Sequence, residues 1–374
     1  MRILATEKWT APGGGMERSM LEVAEGLAGR GHDLELMYRF PGDYLPMYAS
    51  FGVKTHQERA FFVDRAETLR STLGLALTTL DGVRRRPDLI YLNDVLHVPF
   101  GAMTSAVTRA PAVSHLRLSP PDKPMGRQFW KSVPRIKRFI AVSADTRDRW
   151  VALGFPADRV GVVHNGVDVA RYTPGTDADK AAARSELGIA DEDEIVLYLG
   201  RIDKVKGIET LIDAVNRLAV RRPRLHLLVV GRPAWHETPE AGERYVESLR
   251  TAAKAVRATF LAARLDAVPL YRVADVVAMP SEWPEPFGRV AIEAMACGRP
   301  CVATRIGGIP EIFTGDLEQL LTPAGDPAGL ATCLDAALDA GPELGGICRA
   351  AAQARFSLET ALDGIEANFG DALR

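Results

Sequence analysis

The sequence predicts an α/β protein of two doubly wound domains, and three observations carry that prediction. The chain opens on an apolar run, Arg2 to Thr6, followed by a glycine loop (Gly13-Gly14-Gly15), a helical stretch and a second apolar run, Asp33 to Tyr38. Strand, loop, helix and strand in that order begin a doubly wound unit. A similar start appears at Glu194, where a near-continuous apolar run to Leu199 leads through a glycine-bounded loop into an amphipathic helix from Ile208 to Val220. Near-continuous apolar runs suit parallel strands covered on both faces. Third, 374 residues are enough for two cores.

In the first half, the glycine loop lacks the G-x-G-x-x-G spacing, and no acid stands where a nicotinamide cofactor's ribose would be held. A dehydrogenase is therefore disfavoured. The following helix, Met16 to Gly29, sets Met16, Met20, Val23, Ala24, Leu27 and Ala28 at helical spacing. Tyr44 to Arg86 reads as mixed helix and loop. Strands follow at Asp88 to Asn93 and Ala112 to Leu116. Ligands of open parallel sheets bind outside the strand carboxyl ends. Asp94, His97 and His115 are thus candidates for that rim. Residues 127–139 mix Phe129 and Trp130 with Lys131, Arg135, Lys137 and Arg138, either as a solvated helix face or as a patch for anionic lipid headgroups. Strands at Phe139 to Val142 and Val160 to Val163 precede the turn His164-Asn165-Gly166-Val167-Asp168.

Gly175 to Asp193 reads as a linker with a short helix. The loop after the Glu194 strand, Gly200 to Gly207, carries Arg201 and Lys206 ahead of a helix start. Two fixed cations and a helix N-terminus make an anion site. Asp191-Glu192-Asp193 precedes a strand instead of ending one, so it reads as a solvated turn and not a metal site. Further strands run from His226 to Gly231, Ala258 to Ala262 and Asp275 to Met279. The last leads into Met279 to Gly298, around which the chain is organised. Pro280, Pro284 and Pro286 bar regular helix, Pro286 suits a first helical turn, and Gly298 stops the helix. Glu293 lies eight residues beyond Glu285. At ~1.5 Å per residue that is roughly 12 Å along a helix axis, enough for one ligand to span both carboxylates. Read alone, Glu285 serves the helix dipole equally well, and Glu293 an ion pair with Arg289. A strand at Leu317 to Leu321, a helix at Leu330 to Leu338 and a last helix from Arg355-Phe356-Ser357 through Leu373 complete the chain.

Composition bounds the partners. Hydrophobic residues are 47% and charged residues 25%, ordinary for a globular protein, and a net charge of −2 gives no global field for nucleic acid. Residues 1–168 hold 23 Lys+Arg against 18 Asp+Glu, leaving 23 against 30 for the remainder. A mildly basic first half suits a membrane surface or an anionic acceptor. Cys297, Cys301, Cys333 and Cys348 form no CxxC or zinc spacing, so reduced thiols are expected. The opening apolar run is too short for a signal peptide, and no stretch approaches ~18 apolar residues. The expected location is cytoplasmic, with peripheral contact at the inner membrane face left open.

Glu285 to Glu293 resembles the E-x7-E element of retaining GT-B glycosyltransferases of the family 4 type (glycosyl transferases group 1). The likeness continues through Arg299 to Thr304 and Gly307-Gly308-Ile309-Pro310-Glu311-Ile312. It includes Gly200 to Gly207 (the family's G-R-x4-K-G), Gly14-Gly15 with Glu17, and Asn165 to Asp168 with Tyr172-Thr173-Pro174. The resemblance implies a GT-B fold: an acceptor-binding Rossmann-like domain at 1–175, a nucleotide-sugar domain at 176–355, and a final helix, 356–374, crossing back to the first. It implies transfer of a hexosyl or N-acetylhexosaminyl group from a nucleoside-diphospho-sugar to an acceptor hydroxyl. The donor would be UDP-linked before GDP- or ADP-linked, with no cofactor and no metal. The acceptor would be a small molecule, a saccharide or a lipid-linked species.

By the same resemblance, Arg201 and Lys206 hold the diphosphate, with Gly200 and Gly231 lining the donor site. Glu285 holds sugar hydroxyls, Phe287 and Gly288 seat the sugar, and Glu293 binds the ribose. His115 stands beside the anomeric centre, where Leu116 and Arg117 replace the acidic or glycine residue common after it. Gly14 and Gly15 face the donor, and Glu17, Asp94 and His97 the acceptor. The rival readings are a sugar-nucleotide epimerase or hydrolase on the same fold, and a non-catalytic sugar-nucleotide-binding protein.

Overall fold

The computed structural model describes residues 1–64, 66–234 and 238–374. They form two compact units, one of Met1–Gly166 with Leu358–Arg374, the other of Val167–Ser357.

The first unit runs β1 (Arg2–Trp9), α1 (Gly15–Gly29), β2 (Asp33–Phe40), α2 (Leu45–Ser50), β3 (Lys54–Gln57), α3 (Thr68–Arg84), β4 (Leu89–Leu92), α4 (Val98–Thr108), β5 (Ala112–Leu116), α5 (Arg127–Ser132), β6 (Arg138–Ala141), α6 (Ala144–Ala152) and β7 (Val160–Val162). Its sheet has the order β3-β2-β1-β4-β5-β6-β7, with every pairing parallel. The strand order reverses between β1 and β4, and that switch point is where such sheets open a crevice at their carboxyl edge. Strand β3 lies in the stretch read as mixed helix and loop, because Lys-Thr-His-Gln has no apolar alternation to mark a strand.

Two cores cover the two faces of this sheet. Leu21, Leu27 and Tyr48 of α1 and α2 pack on one side. Leu75, Phe100, Phe129 and Trp150 of α3, α4, α5 and α6 pack on the other.

The second unit runs α7 (Asp177–Leu187), β8 (Glu194–Leu199), α8 (Ile208–Ala219), β9 (Leu225–Val230), α9 (Pro239–Ala252), β10 (Arg257–Leu261), α10 (Val268–Val273), β11 (Val276–Met279), α11 (Arg289–Ala296), β12 (Cys301–Thr304), β13 (Leu321–Thr322) and α12 (Pro327–Arg355). Its parallel sheet has the order β10-β9-β8-β11-β12-β13, with the switch point between β8 and β11. Thr176 opens α7 with a capping box to Asp179. Helix α8 buries Ile208, Leu211, Ile212, Val215 and Leu218, one stripe at the helical period. The last helix, α13 (Leu358–Leu373), belongs to the first unit, where Leu362, Ile365 and Phe369 join the core on the α1 side. Arg30 fixes it there through Asp363 at 2.7 Å, with Glu359 and Glu366 as further partners.

Three local expectations are corrected. Most of Leu317–Leu321 is a 3₁₀ helix, Gly315–Leu320, leaving β13 two residues long. Helix α12 continues well past Leu338 and bends where Gly341 has φ 52° ahead of Pro342. Asp193 is not solvated. Its buried carboxylate accepts from Arg257 at 2.6 Å and pairs with His226 at 3.1 Å, and these partners outweigh burial to hold its pKa below the usual range.

Candidate active site

At the switch point of the second unit, three loops are locked together by their backbones. Gly207, at φ +68°, stands so close to the loop after β11 that a Cβ would lie 1.9 Å from the Pro280 carbonyl oxygen. Gly231 has the same relation to the Gly200 carbonyl, also at 1.9 Å. The Glu282 amide donates to the Val205 carbonyl at 2.9 Å, and the Gly308 amide to the Glu285 carbonyl at 2.8 Å. Gly307 lets the chain pass, since a Cβ there would meet the Glu285 carbonyl at 2.4 Å. Glycine is required where backbones approach this closely.

This frame brings Lys206 and Glu285 into a direct ion pair, both side chains mostly buried. The Ser281 hydroxyl donates to the same carboxylate oxygen at 2.5 Å. Arg201, on the same loop as Lys206, is half-exposed and pairs with Asp203 at 3.1 Å. The Tyr198 hydroxyl donates to the Arg201 carbonyl at 2.6 Å, and burial, reinforced by Glu285, pushes that phenol's pKa well up. Tyr198 therefore stays a proton donor that fixes the loop.

Glu293 sits deeper. Arg289 donates to one of its oxygens at 2.8 and 3.1 Å, and the Tyr271 hydroxyl to the other at 2.7 Å. The ion pair with Arg289 is thus formed, and the carboxylate oxygen that faces Tyr271 retains a lone pair. The helix-rise estimate between the two glutamates is corrected: α11 begins only at Arg289, after Gly288 at φ 139°, so Pro286 lies outside the helix. Phe287 is buried, its ring 5.8 Å from that of Phe356.

The first unit gathers its polar residues at the β1/β4 switch point. Glu7, at the end of β1, accepts from the Lys8 amide at 2.8 Å and from the Asn93 side-chain amide at 2.6 Å. It is fully buried, and burial, with Glu17 and then Asp94 adding repulsion, pushes its pKa up to about 8. Glu17 folds back over the glycine loop, with its carboxylate 3.3 to 3.5 Å from where Cβ atoms of Gly13 and Gly14 would stand. Burial raises its pKa too, against the amides of Glu17 and Gly14. Gly15 opens α1. Asp94 accepts from the Leu96 amide at 2.9 Å, and the buried His97 pairs through Nδ1 with Thr6 Oγ1 at 2.8 Å. Burial brings the pKa of His97 down to about 4.

His115 does not reach the rim. It lies inside β5, buried, with Nδ1 at 2.6 Å from the Tyr91 hydroxyl, and burial with Arg117 nearby holds its pKa well below the ordinary value. The polar residue after β5 is Arg117, which sequence reasoning noted without giving it a role. It donates to Asn93 through Nε, to Asn165 at 2.8 Å and to the Tyr91 hydroxyl at 3.2 Å. Ser19 of α1 also reaches Asn165, at 3.4 Å. Of the other residues not foreseen, Glu7, Asn93, Tyr91, Ser281 and Tyr271, only Asn93 had a signal, its place at a strand end.

Comparison with known proteins gives this geometry its family. The model of "Glycosyl transferases group 1" matches residues 179–354, and that of "Glycosyltransferase Family 4" matches residues 13–171. A D-inositol 3-phosphate glycosyltransferase of Nocardia farcinica is 30% identical over 97% of this chain and 86% of its own length. One from Mycobacteroides abscessus is 34% identical over 70% of this chain, and the match spans 59% of that relative. Several of the similar relatives are, like it, matched over less than two thirds of their length. The crystal structure of Anabaena HepE in complex with UDP-glucose superposes with a TM-score of 0.84 at 25% identity, covering 99% of both chains. The sheet orders, the interlocked loops and these matches together make the chain a member of the family 4 glycosyltransferases, group 1, on the GT-B fold.

Proposed function

We propose that the chain moves a hexosyl group from a nucleoside-diphospho-hexose, UDP-linked, to an acceptor hydroxyl, with retention at the anomeric carbon. The observation that carries this reading is the Lys206–Glu285 pair, held beside Arg201 by loops that admit no side chain at Gly207 or Gly307. A diphosphate arriving there replaces Glu285 as the partner of Lys206 and draws on Arg201. It frees Glu285, still held by Ser281, to accept from sugar hydroxyls. The likeness to a structure holding UDP-glucose supports the donor class.

In the proposed reaction the bond between C1 and the phosphate oxygen breaks as the acceptor oxygen bonds to C1 on the same face. The acceptor proton passes to the departing phosphate, whose growing charge Lys206 and Arg201 stabilise. No protein nucleophile is consumed, and the two cations do the work that a metal does elsewhere. Glu293, with Gly200 and Gly231 alongside, receives the ribose, and Phe287 and Gly288 seat the sugar. Glu17 and Asp94 meet the acceptor, and His97, wholly buried against Thr6, supports that rim from behind. His115 acts as a positioning residue, through Tyr91 on Arg117. The relatives' names support a hydroxyl-rich acceptor and do not fix which one.

A panel of UDP-, GDP- and ADP-sugars tested for thermal protection, then for transfer with chelator present, decides the matter. UDP-hexose should raise the unfolding midpoint most, and turnover should survive chelation. No protection by any sugar nucleotide would overturn the reading. Equal hydrolysis with and without acceptor would favour a hydrolase, and binding without turnover on any acceptor a non-catalytic role.

A further inference from the structure

Helix α3 is turned inside out. Its buried face carries Ser71, Gly74, Leu75, Thr78, Thr79 and Gly82, mostly small or polar. The face it shows to water carries Leu69, 89% exposed, Leu73, 63%, and Leu80, 52%. With the exposed Ala76 between them, these residues recur at i, i+4, i+7 and i+11, one unbroken stripe. The small residues let α3 settle closely on its neighbours: a Cβ on Gly82 would come within 3.0 Å of Phe100. Nothing in that packing needs the leucines outside, and an exposed apolar stripe of this kind marks a surface awaiting a partner.

The neighbouring helix on the same side of the sheet continues the pattern. On α4, Val107 is 65% exposed and Met103 is exposed as well. Beside them Ser105 and Ala106 line a pocket of about 380 Å³ whose other walls are Pro134, Arg135, Lys137 and Arg159. Among the described residues neither Arg135 nor Lys137 has an acidic partner. Arg159 spends its guanidinium on the Pro134 carbonyl at 3.0 Å. Among the described residues, the acids paired along α3 are Glu67, 3.9 Å from Arg70, and Asp81, 3.0 Å from Arg84. The stretch 127–139 thus splits in the structure. Phe129 enters the core and Trp130 packs against it, Arg138 turns to Asp371, and Lys131, Arg135 and Lys137 stay outside.

We infer that this face of the first unit, the α3 leucine stripe with the basic pocket beside α4, docks on an anionic lipid surface. Leucines enter the headgroup boundary and phosphate headgroups meet Arg135, Lys137 and Arg159. A second copy of the chain would cover the leucines as well, but its matching face carries the same cations and offers them no acid beyond Glu67 and Asp81, which are already paired. Neutralisation of the unpaired cations favours the anionic lipid. The helix lies on the membrane and does not cross it, for no helix among the described residues is long and apolar enough to span. This inference is independent of the donor and acceptor proposed above.

The test is flotation of the full chain with phosphatidylcholine vesicles, with and without phosphatidylglycerol, at low and high salt. Binding should require phosphatidylglycerol and weaken with salt. Leu69→Ser with Leu73→Ser should cut partitioning more than roughly tenfold, and Arg135→Glu with Lys137→Glu roughly thirtyfold. Both substitutions lie at exposed positions, so an unchanged unfolding midpoint shows that the fold is kept. Failure of the parent chain to bind at low salt overturns the inference, as does binding that ignores the leucines. A concentration-dependent dimer in sedimentation, dissolved by the leucine substitutions, would assign the face to a second copy instead.

Discussion

The two switch points of this protein are built on opposite principles. In the second unit the site is a matter of backbone: glycines at 200, 207, 231 and 307 let loops touch, and one ion pair sits on the frame they make. In the first unit it is a matter of side chains: Glu7, Asn93, Arg117, Asn165 and Tyr91 satisfy one another in a buried network. The first arrangement leaves its charges reachable, with Arg201 half-exposed. The second pairs its charged groups inside the protein and leaves only neutral atoms, such as Nε2 of His97 and of His115, without a partner among the described residues. A close-packed backbone can hold a charge ready for a phosphate, whereas a saturated network holds a shape.

The sharpest way to break the comparison is at Lys206. Lys206→Ala removes one of two cations meant for the leaving diphosphate, and transfer should fall about 10²–10³-fold. Because Glu285 keeps Ser281 but loses the cation of a mostly buried pair, the unfolding midpoint should fall too, so turnover is measured at a temperature where the variant is folded. Undiminished turnover would sink the role given to Lys206. Gly207→Ala attacks the same place without touching a charge. A Cβ 1.9 Å from a carbonyl oxygen, at φ +68°, demands that a loop move. A loss of about 3 kcal/mol in urea unfolding is expected, together with loss of UDP-sugar protection. If stability and protection both survive, the loops are not locked as described.

The same contrast decides what could be read beforehand. A glycine forced by close approach leaves a fixed letter at a fixed place, so Gly200, Gly207 and Gly288 with Arg201, Lys206 and Glu285 stood out as a motif. The parallel strands of both units were legible because burial on two faces makes them apolar throughout, as at Glu194–Leu199 and Ala112–Leu116. The network of the first unit joins residues 24 to 86 positions apart, such as Arg117 to Asn93 and Asn93 to Glu7. No spacing rule connects such residues before the sheet order is known. His115 misled for a related reason. A histidine near a strand end looks like a rim residue, but the next side chain outward, Arg117, is the one that reaches the edge. Helix α3 hid because its leucines sit at ordinary helical spacing, and only the structure reveals that they face water.

Arg117→Met tests the first unit's side of the comparison. The substitution keeps bulk but strips partners from Asn93, Asn165 and Tyr91 at once, all inside the protein. Unsatisfied buried groups of this kind cost on the order of 3 kcal/mol together. The unfolding of the first unit should shift accordingly, while UDP-sugar should still protect the second, since Lys206 and Glu285 are untouched. Equal loss of donor protection would mean that the two sites do not stand on separate supports.

The most diagnostic test of this buried network is its response to pH. Glu7 has its folded pKa raised to about 8 by burial, Glu17 and Asp94, against about 4.3 for an unfolded glutamate. A raised acid keeps its proton in the folded state while the unfolded chain loses it, so the unfolded state binds fewer protons between those two values. Stability is therefore full below pH ~4 and declines as pH rises toward 8, by up to about 1.4 kcal/mol per unit. Glu58, raised to about 7 by burial and then Asp81, tilts the same way. Glu7→Gln removes the titration and keeps the size. Relative to the parent, the variant should gain stability steadily from pH 5 to 8 in urea titrations, leaving the falling slope of Glu58 and Glu17 against the rising one of His97 and His115, whose pKa values burial lowers. Parallel stability curves for parent and variant would mean that Glu7 is ionised in the folded protein, with Lys8 or Arg117 carrying its charge.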